Sequence, residues 1–480
     1  MSKKTLWDSP LTRSAAPRDK VRMPEMLIGY FIGPFGALLS SGIFTSMLQK
    51  YFTDVLKLDL NFLTGLQLVS TVLIVAANLI VGQLIERTRT KAGKARPWIL
   101  LSALVLSVAS VLMFIVPFEG TAKLVWIAIA YNLYYSVAYP IYNTANSTLI
   151  PVSTRDSNAR GALASFTNIA GLAVMGCGSM VFPILVSAAL KEDQNLWFLA
   201  MLAIAIFSAL TIYLQFRFTR ERVTEEGGED TSAKAETVSL SRQLKAVASE
   251  KWWWIIILFY LGFQWSGAFK NGSMAFFCQW VLDSSIFGAA GWGGAQSLLS
   301  ILGAIPMAVA SVAVVPLANK FGKRIVCMVG MLLGVAGGVI AGLGGSNIVP
   351  VAIGVALKCL GSSPACYLIL AMLADVIDHI EFKSGIRTDG LTMSIYSSVM
   401  VAATPICNAI FSAMLGASGY SQEVGVAVQS AAAQSAISVS YIWIETIAYA
   451  VCAVLIFLFT VEKNLPEEQK AIAERKGLNA

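Results

Sequence analysis

Charged side chains are scarce in this sequence. Of 480 residues, only 13% are Asp, Glu, Lys or Arg, and His379 is the one histidine. A soluble domain usually carries about 25% charged residues, so a soluble globular protein is excluded. Hydrophobic residues make up 56% of the chain, and the mean hydropathy is +0.69. The composition therefore predicts a polytopic membrane protein.

Motifs of common enzyme classes are also missing. The chain has no GxSxG, no HExxH and no P-loop, so no enzyme site is expected and ATP hydrolysis does not drive the protein. Its seven cysteines form no CxxC and fall mostly in apolar segments, which is typical of helix packing. We therefore expect no enzyme and no resident cofactor or metal. The net charge of +7 comes from short basic loops and does not indicate a nucleic-acid partner.

About twelve apolar segments are long enough to cross a bilayer as helices, which takes roughly 17–25 residues. The pattern predicts an all-α fold with two six-helix bundles at 25–215 and 252–461, a cytoplasmic linker at 216–251, and cytoplasmic tails at 1–24 and 462–480. The predicted segments are approximately 25–47, 60–85, 98–117, 124–150, 162–190, 195–215, 252–282, 292–316, 324–344, 348–373, 390–416 and 437–461.

Lysine and arginine are concentrated in alternate loops, which sets the orientation of a membrane protein. Both termini and the linker are therefore predicted to be cytoplasmic, in a multi-pass protein of the plasma membrane or bacterial inner membrane. Residues 1–23 are polar and basic, so no cleavable signal peptide is expected. The basic loop residues are Arg87, Arg89, Lys91, Lys94 and Arg96 after span 2, Arg155 and Arg160 after span 4, Lys320, Lys323 and Arg324 after span 8, and Lys383 and Arg387 after span 10.

The loops after spans 2 and 8 resemble each other. The first reads KAGKARPWIL and the second NKFGKRIVCM, each a glycine turn flanked by basic residues. Glycine permits a tight reversal, and the cations favour the carbonyl end of the arriving helix. Matching loops at matching positions favour two homologous halves.

Four motifs carry a resemblance that covers residues 27–460. The loop GQLIERTRTKAGKARPW at 82–98, the box Tyr51–Asp54, the segment Asn143–Leu149 and the stretch Ala374–Glu381 with Gly385–Leu391 stand in register. Together they resemble the glycoside–pentoside–hexuronide:cation symporter family of the major facilitator superfamily. The resemblance implies a twelve-helix rocker-switch carrier for glycosides or sugar acids, driven by sodium ions or protons.

The sequence departs from that family at several binding positions. The paired aspartates on span 2 of sodium-coupled members are matched here by Ile74 and Asn78, and aspartates on spans 1 and 4 by Leu38 and Asn143. A lysine on span 11 is matched by Val401. Hard carboxylate ligands are thus missing from the usual sodium site. We expect coupling to protons or to a cation bound elsewhere, with uniport or exchange as alternatives.

Two lysines lie inside apolar segments. Lys270 stands in span 7, about 27 Å along a helix from Trp252, and Lys358 stands in span 10. The family arrangement places spans 1, 4, 7 and 10 around a central cavity, so both lysines are predicted to form a positive pocket for an anionic substrate, with no acidic residue beside them. Two alternatives are open: either lysine extends to the outer interface, or Glu445 on span 12 is a partner.

A stripe of tyrosine and asparagine follows span 4 at helical spacing. Such side chains bind sugar hydroxyls and rings, although interhelical hydrogen bonding explains them equally well. The predicted contacts on span 4 are Tyr135, Tyr139, Tyr142, Asn143 and Asn146. Further candidates are Phe263, Gln264, Trp265, Ser266, Asn271 and Met274 on span 7, and Tyr396 and Thr404 on span 11.

Charged residues at cytoplasmic helix ends are candidates for gating. They could pair in one state and separate in another, or they are solvated loop charges worth about 0–1 kcal/mol. The gating candidates are Arg96, Asp375, Glu86, Arg89 and Arg387.

These features predict a secondary transporter that imports an anionic sugar, such as a hexuronide or a sulfonated sugar, by alternating access and as a monomer. A carrier of a non-sugar carboxylate or of a neutral glycoside is the nearest alternative. A lipid transporter on the same fold is another, and a receptor or membrane enzyme is a third.

Overall fold

A computed structural model of the protein describes residues 9, 12–223, 240–386, 388–423, 428–463 and 465–475. Within these residues the chain is helical, and its one β-bridge joins Thr90 to Gly93. The chain divides into two compact units, Met1–Ala233 and Lys234–Ala480. The prediction of an all-α membrane fold is confirmed.

Each predicted apolar segment coincides with one long helix. In the first unit these are α1 (Glu25–Leu48), α2 (Leu60–Arg87), α3 (Arg96–Leu112), α4 (Gly120–Ser153), α5 (Ala159–Leu190) and α6 (Gln194–Phe218). In the second unit they are α7 (Lys251–Trp280), α8 (Gly291–Phe321), α9 (Lys323–Gly344), α10 (Ile348–Ser384), α11 (Asp389–Ala417) and α12 (Ala431–Leu458).

Ten of these helices are long and apolar enough to cross a membrane. Helix α7 adds an eleventh, set at 80° to the short helix Arg242–Ala248 before it, and α3 is an apolar helix of 17 residues. Large apolar side chains are exposed along α2, for example Val69, Val72 and Ile80, as expected for a surface that faces lipid.

Two helix ends extend furthest beyond the predicted segments. Helix α10 continues past the predicted end at residue 373, through Asp375, and ends at Ser384, where Gly385 adopts a left-handed conformation with φ 69°. Helix α12 begins at Ala431, because Ser430 accepts a hydrogen bond from the N–H of Ala433. Hydropathy does not mark either end, because polar residues extend both helices beyond the apolar core.

Glycines on two faces of α9 bring α10 and α12 close to it. A Cβ added to Gly337 would lie 2.6 Å from the carbonyl oxygen of Gly354 on α10, and one added to Gly338 would lie 2.8 Å from Cβ of Thr446 on α12. Small residues allow such close approach between membrane helices. Because α9 contacts both neighbours in this way, α10 and α12 are held near each other along their middle sections.

The first unit uses a glycine face on α1 in the same way. A Cβ on Gly29 would lie 2.7 Å from the side chain of Thr219, and one on Gly33 would lie 2.5 Å from Cβ of Gln215. The close contact fixes the end of α6 against α1. It also holds the amide of Gln215 in the interior of the unit, where that side chain is fully buried.

Wide π-helical turns occur in several helices, and two of them lie beside the polar residues of the candidate sites. Residues Leu133–Ala138 form such a turn in α4, and residues Val439–Trp443 form one in α12. A π turn shifts the following residues around the helix and is frequent at functional sites. The turn in α4 lies in the tyrosine stripe, and the one in α12 directly precedes Glu445.

Candidate substrate-binding sites

Lys358 on α10 and Glu445 on α12 form an ion pair in the interior of the second unit. The Lys358 side chain is 2% exposed and that of Glu445 is 1% exposed. Tyr449 donates a hydrogen bond of 2.8 Å to Oε1 of Glu445, and the Lys358 ammonium lies 3.5 Å from the carbonyl oxygen of Tyr441. A buried charge needs such partners, since desolvation otherwise costs several kcal/mol.

Lys270 on α7 approaches the same carboxylate from another side. Its Nζ lies 3.9 Å from Oε1 of Glu445 and 3.9 Å from Sγ of Cys359. Its side chain is 24% exposed, far more than that of Lys358. Two ammonium groups therefore share one carboxylate, and Lys270 is the less buried of the two.

The prediction of two lysines without an acidic neighbour is wrong. Glu445 stands near the middle of α12, because the helix begins at Ala431 rather than at the predicted residue 437. Both ammonium groups point toward Glu445, so neither extends to the outer interface. Of the alternatives, the partnership with Glu445 is the one found, and Lys358 is held by it.

The middle and end of α7 present a half-buried polar face. From Phe259 to Trp280, a stretch described throughout, no residue is fully exposed. Several polar or aromatic residues in this stretch are nonetheless half-buried, which is unlike the apolar surface of a lipid-facing helix. These residues are Phe263, Gln264, Trp265, Lys270 and Asn271.

Two other predicted residues of α7 lie deeper. Ser266 is buried and donates its hydroxyl to the carbonyl oxygen of Phe263 at 2.6 Å. Met274 is buried, and its sulfur accepts a hydrogen bond from Ser300 on α8 at 3.9 Å. Both side chains are engaged inside the unit rather than on the half-buried face.

On α11, Tyr396 stacks on Tyr260 of α7 with ring centroids 4.1 Å apart. Thr404 is half-buried on the same helix. The stacking fixes α11 against α7, the helix that carries Lys270.

The tyrosine stripe of α4 divides into two groups. Tyr142 donates to Oε1 of Gln215 on α6 at 2.8 Å, and Gln215 donates to Oδ1 of Asn146 at 2.7 Å. All three side chains are buried. For Tyr142 and Asn146, the structure therefore shows interhelical hydrogen bonding, the alternative that the sequence left open.

The other three residues of the stripe, Tyr135, Tyr139 and Asn143, are half-buried and spaced by four residues. Tyr135 packs its ring against Tyr131 at 4.6 Å and Tyr134 at 5.0 Å. The spacing places the three on one line along α4. These three residues are the less buried part of the stripe.

The gating candidates are mostly engaged within their own unit. Arg96 is buried, donates to the carbonyl oxygen of Phe216 at 3.0 Å and packs on the Phe216 ring at 4.6 Å. Asp375 pairs with Lys323 at the start of α9. Glu86 and Arg89 are exposed, and the Arg89 guanidinium binds the carbonyl oxygen of Glu86 at 2.6 Å. Arg387 lies outside the described residues.

Two carboxylates that were not among the predicted functional residues bind the backbone of the basic loops. Glu221 accepts hydrogen bonds from the backbone N–H groups of Lys94, Ala95 and Arg96 at 2.8–2.9 Å. Glu462 accepts hydrogen bonds from the backbone N–H groups of Lys323 at 2.9 Å and Arg324 at 3.2 Å.

A repeated motif marks these two carboxylates in the sequence. Residues 216–222 read FRFTRER and residues 457–463 read FLFTVEK, each at the end of a six-helix unit. The repeat F-x-F-T-x-E could have identified both carboxylates from the sequence. Its two copies lie at the boundaries of the predicted linker and tail.

Apolar helices in two units, with polar side chains held among them, define a multi-pass membrane protein. A family model described as MFS/sugar transport protein matches residues 29–463. The chain belongs to this family, and the predicted resemblance to the glycoside–cation symporters of the major facilitator superfamily is confirmed.

Relatives extend along almost the whole chain. The isoprimeverose transporter of Lactiplantibacillus pentosus is 27% identical over 469 residues, covering 96% of this chain and 93% of that protein. The glucuronide carrier protein homolog of Escherichia coli K12 is 22% identical, covering 82% and 84%. A solved bacterial homolog of the human lysosomal transporter Spinster shares the fold with a TM-score of 0.66 at 10% identity, covering 94% and 99%. The protein is a transporter of a sugar or glycoside.

Proposed function

We propose that the protein imports a sugar or glycoside bearing an anionic group across the bacterial inner membrane by alternating access, as a monomer with both termini in the cytoplasm. The observation that carries the proposal is the sharing of Glu445 by Lys270 and Lys358. One positive charge is left over among these three groups. An unbalanced charge in a membrane protein favours an anionic partner.

Lys270 is the proposed contact for the anion, because Lys358 is enclosed by its ion pair. Gln264 and Asn271 on the half-buried face of α7 would bind neighbouring hydroxyls, with Trp265 or Phe263 against an apolar face of the sugar. On α4, Tyr135, Tyr139 and Asn143 are the proposed hydroxyl contacts. Lys358, Tyr142 and Asn146 would support these contacts from behind.

A transport assay with matched substrates tests the proposal. Uptake of a hexuronide is compared with that of its neutral glycoside in membranes that contain the wild type or Lys270→Met, with the exposed Lys245→Met as the matched control. A hydrogen bond to a charged group is worth about 1.5–3 kcal/mol, so K270M should lower hexuronide uptake about tenfold or more. Neutral glycoside uptake should change less than about twofold.

A neutral glycoside is the second candidate cargo. The 3.9 Å separation between Lys270 and Glu445 favours it, because the carboxylate partly neutralises the lysine that the cargo would meet. Equal loss of both substrates in K270M would support this candidate and count against the anion contact.

Proton coupling is proposed because α2 lacks the oxygen ligands of the usual sodium site. Ile74 is buried there, and the amide of Asn78 donates to the Ile74 carbonyl oxygen at 2.8 Å. Uptake should therefore fall when a protonophore collapses the pH gradient and should not respond to sodium. Stimulation by a sodium gradient would instead place a cation site elsewhere in the chain.

A further inference from the structure

We infer that Glu445 restricts the site at Lys270 to cargo with a single negative charge. The inference rests on the proposed function, in which Lys270 meets the anion. It adds a specificity-determining residue that the cargo does not touch. A carboxylate or a sulfonate would be accepted, and a phosphate monoester would be rejected.

The formal charges of the cluster lead to this conclusion. Lys270 and Lys358 contribute two positive charges and Glu445 contributes one negative charge. The other side chains in contact with these groups include Tyr449, Cys359 and the ring of Tyr441, which add no formal charge. Among the ion pairs of the described residues, no further carboxylate joins these three groups. The cluster therefore carries one net positive charge.

The charge of Lys358 is not available to cargo. Its ammonium is enclosed between Glu445 and the carbonyl oxygen of Tyr441, and its side chain is 2% exposed. Glu445 is equally fixed, because Tyr449 donates to one of its oxygens while Lys358 binds the other. An incoming anion thus meets only Lys270, whose Nζ is 3.9 Å from the Glu445 carboxylate.

A second negative charge on the cargo would have no partner and would lie close to Glu445. A phosphate monoester carries about −1.5 to −2 charges at pH 7, whereas a carboxylate carries −1. Repulsion between unit charges several ångströms apart, at the effective dielectric of a partly buried site, corresponds to roughly 100-fold in affinity. The wild type should therefore transport a hexuronate about 100-fold better than the hexose phosphate of similar size.

Three variants test the role of the net charge of the cluster without altering Lys270. Glu445→Gln raises it to +2, Lys358→Met lowers it to zero, and the double variant K358M/E445Q returns it to +1. Uptake of a hexuronate, a hexose 6-phosphate and a neutral methyl glycoside is measured at pH 7.5 and normalised to the amount of transporter in the membrane.

The expected uptake of each substrate depends on the net charge of the cluster. E445Q should raise the ratio of phosphate to hexuronate uptake at least tenfold. K358M should lower the ratio of hexuronate to neutral glycoside uptake at least tenfold, and K358M/E445Q should restore that ratio. A loss of folding would lower the uptake of both substrates alike. The test is therefore the ratio of hexuronate to neutral glycoside uptake, which only the net charge of the cluster should change. The K358M and double-variant pair therefore tests the inference even where E445Q does not accumulate.

Two outcomes would overturn the inference while the proposed function stands. In the first, the wild type prefers hexuronate to the neutral glycoside but takes hexose phosphate equally well. In the second, K358M and K358M/E445Q show the same ratio of hexuronate to neutral glycoside uptake. If instead the wild type does not distinguish hexuronate from the neutral glycoside and K270M affects both alike, the proposed anionic cargo itself is wrong.

Discussion

Glu221 and Glu462 hold equivalent positions in the two units. Each follows the sixth helix of its unit by a few residues and accepts hydrogen bonds from backbone N–H groups at the start of the third helix. Each also faces a glycine with positive φ, Gly93 at 104° and Gly322 at 87°. A carboxylate at a helix N-terminus is stabilised by free N–H groups and by the helix dipole. In both units, the basic loop is thus held by a carboxylate that follows the sixth helix.

Neutralising either carboxylate should destabilise the protein. Glu221→Gln and Glu462→Gln each keep the shape of the side chain but replace charge-assisted hydrogen bonds with weaker ones. We expect a loss of about 1–2 kcal/mol in the free energy of unfolding, measured by thermal unfolding in detergent. Glu467→Gln, at an exposed position of the C-terminal helix, is the matched control and should change little. Equal stability of all three variants would contradict the capping role.

The buried pair Lys358–Glu445 predicts strongly non-additive mutations. Lys358→Met leaves a carboxylate in the interior with Lys270 only as a distant partner, and should cost about 3–5 kcal/mol of unfolding free energy. The double variant K358M/E445M removes both buried charges and should recover most of that loss. Chemical denaturation of the purified variants measures both values. Additive losses in the double variant would mean that the two side chains do not interact.

The close packing of α9 on α12 predicts a size limit at Gly338. Gly338→Ala would place a methyl group against Thr446, which should lower the unfolding free energy by about 1–3 kcal/mol. Thr446→Ala in the same chain should recover part of the loss, because it removes the atoms that the methyl group meets. Gly171→Ala, where a Cβ meets no atom within 4 Å, is the control. A destabilisation at Gly171 as large as that at Gly338 would argue against contact as the cause.

The division of the α4 stripe predicts different effects for two tyrosines. Tyr142→Phe removes the hydrogen bond to Gln215 and should lower stability by about 1 kcal/mol, with little change in the KM for sugar. Tyr135→Phe removes the hydroxyl of a half-buried residue that is proposed to contact the cargo, and it should raise KM severalfold with little change in Tm. Transport kinetics and thermal unfolding of the two variants check both expectations. The reverse assignment of effects would mean that Tyr142, not Tyr135, meets the cargo.

Much of the fold was predictable because membrane-spanning helices can be identified in a sequence by their length and hydropathy. The starts of α2, α7, α9 and α10 fall within one residue of the predicted segments. Helix ends were less predictable where polar residues extend a helix beyond the bilayer, as Asp375 does in α10. The start of α12 was missed for a related reason, since Ala431–Ser438 is only moderately apolar, and this moved Glu445 from the predicted end of its helix to the middle.

The sequence predicted which residues belong to the site but not which of them contact one another. An intramembrane lysine is visible in any hydropathy reading, and both Lys270 and Lys358 stood out for that reason. Their pairing with Glu445 was only one of the alternatives, because Glu445 lies on a different helix and 87 residues beyond Lys358 in sequence. Likewise Gln215 gave no signal of its own, although it decides which tyrosines of α4 are engaged inside the unit.

The sequence by itself determined the membrane class, the apolar helices, the two-part repeat and the transporter family, because these depend on composition and on local periodicity. Only the tertiary structure decided that Lys270 and Lys358 share Glu445 and that Tyr142 belongs to the interior. The physical reason is helix packing: the glycine faces of α9 and α1 set which helices approach closely, and that approach places side chains distant in sequence against one another.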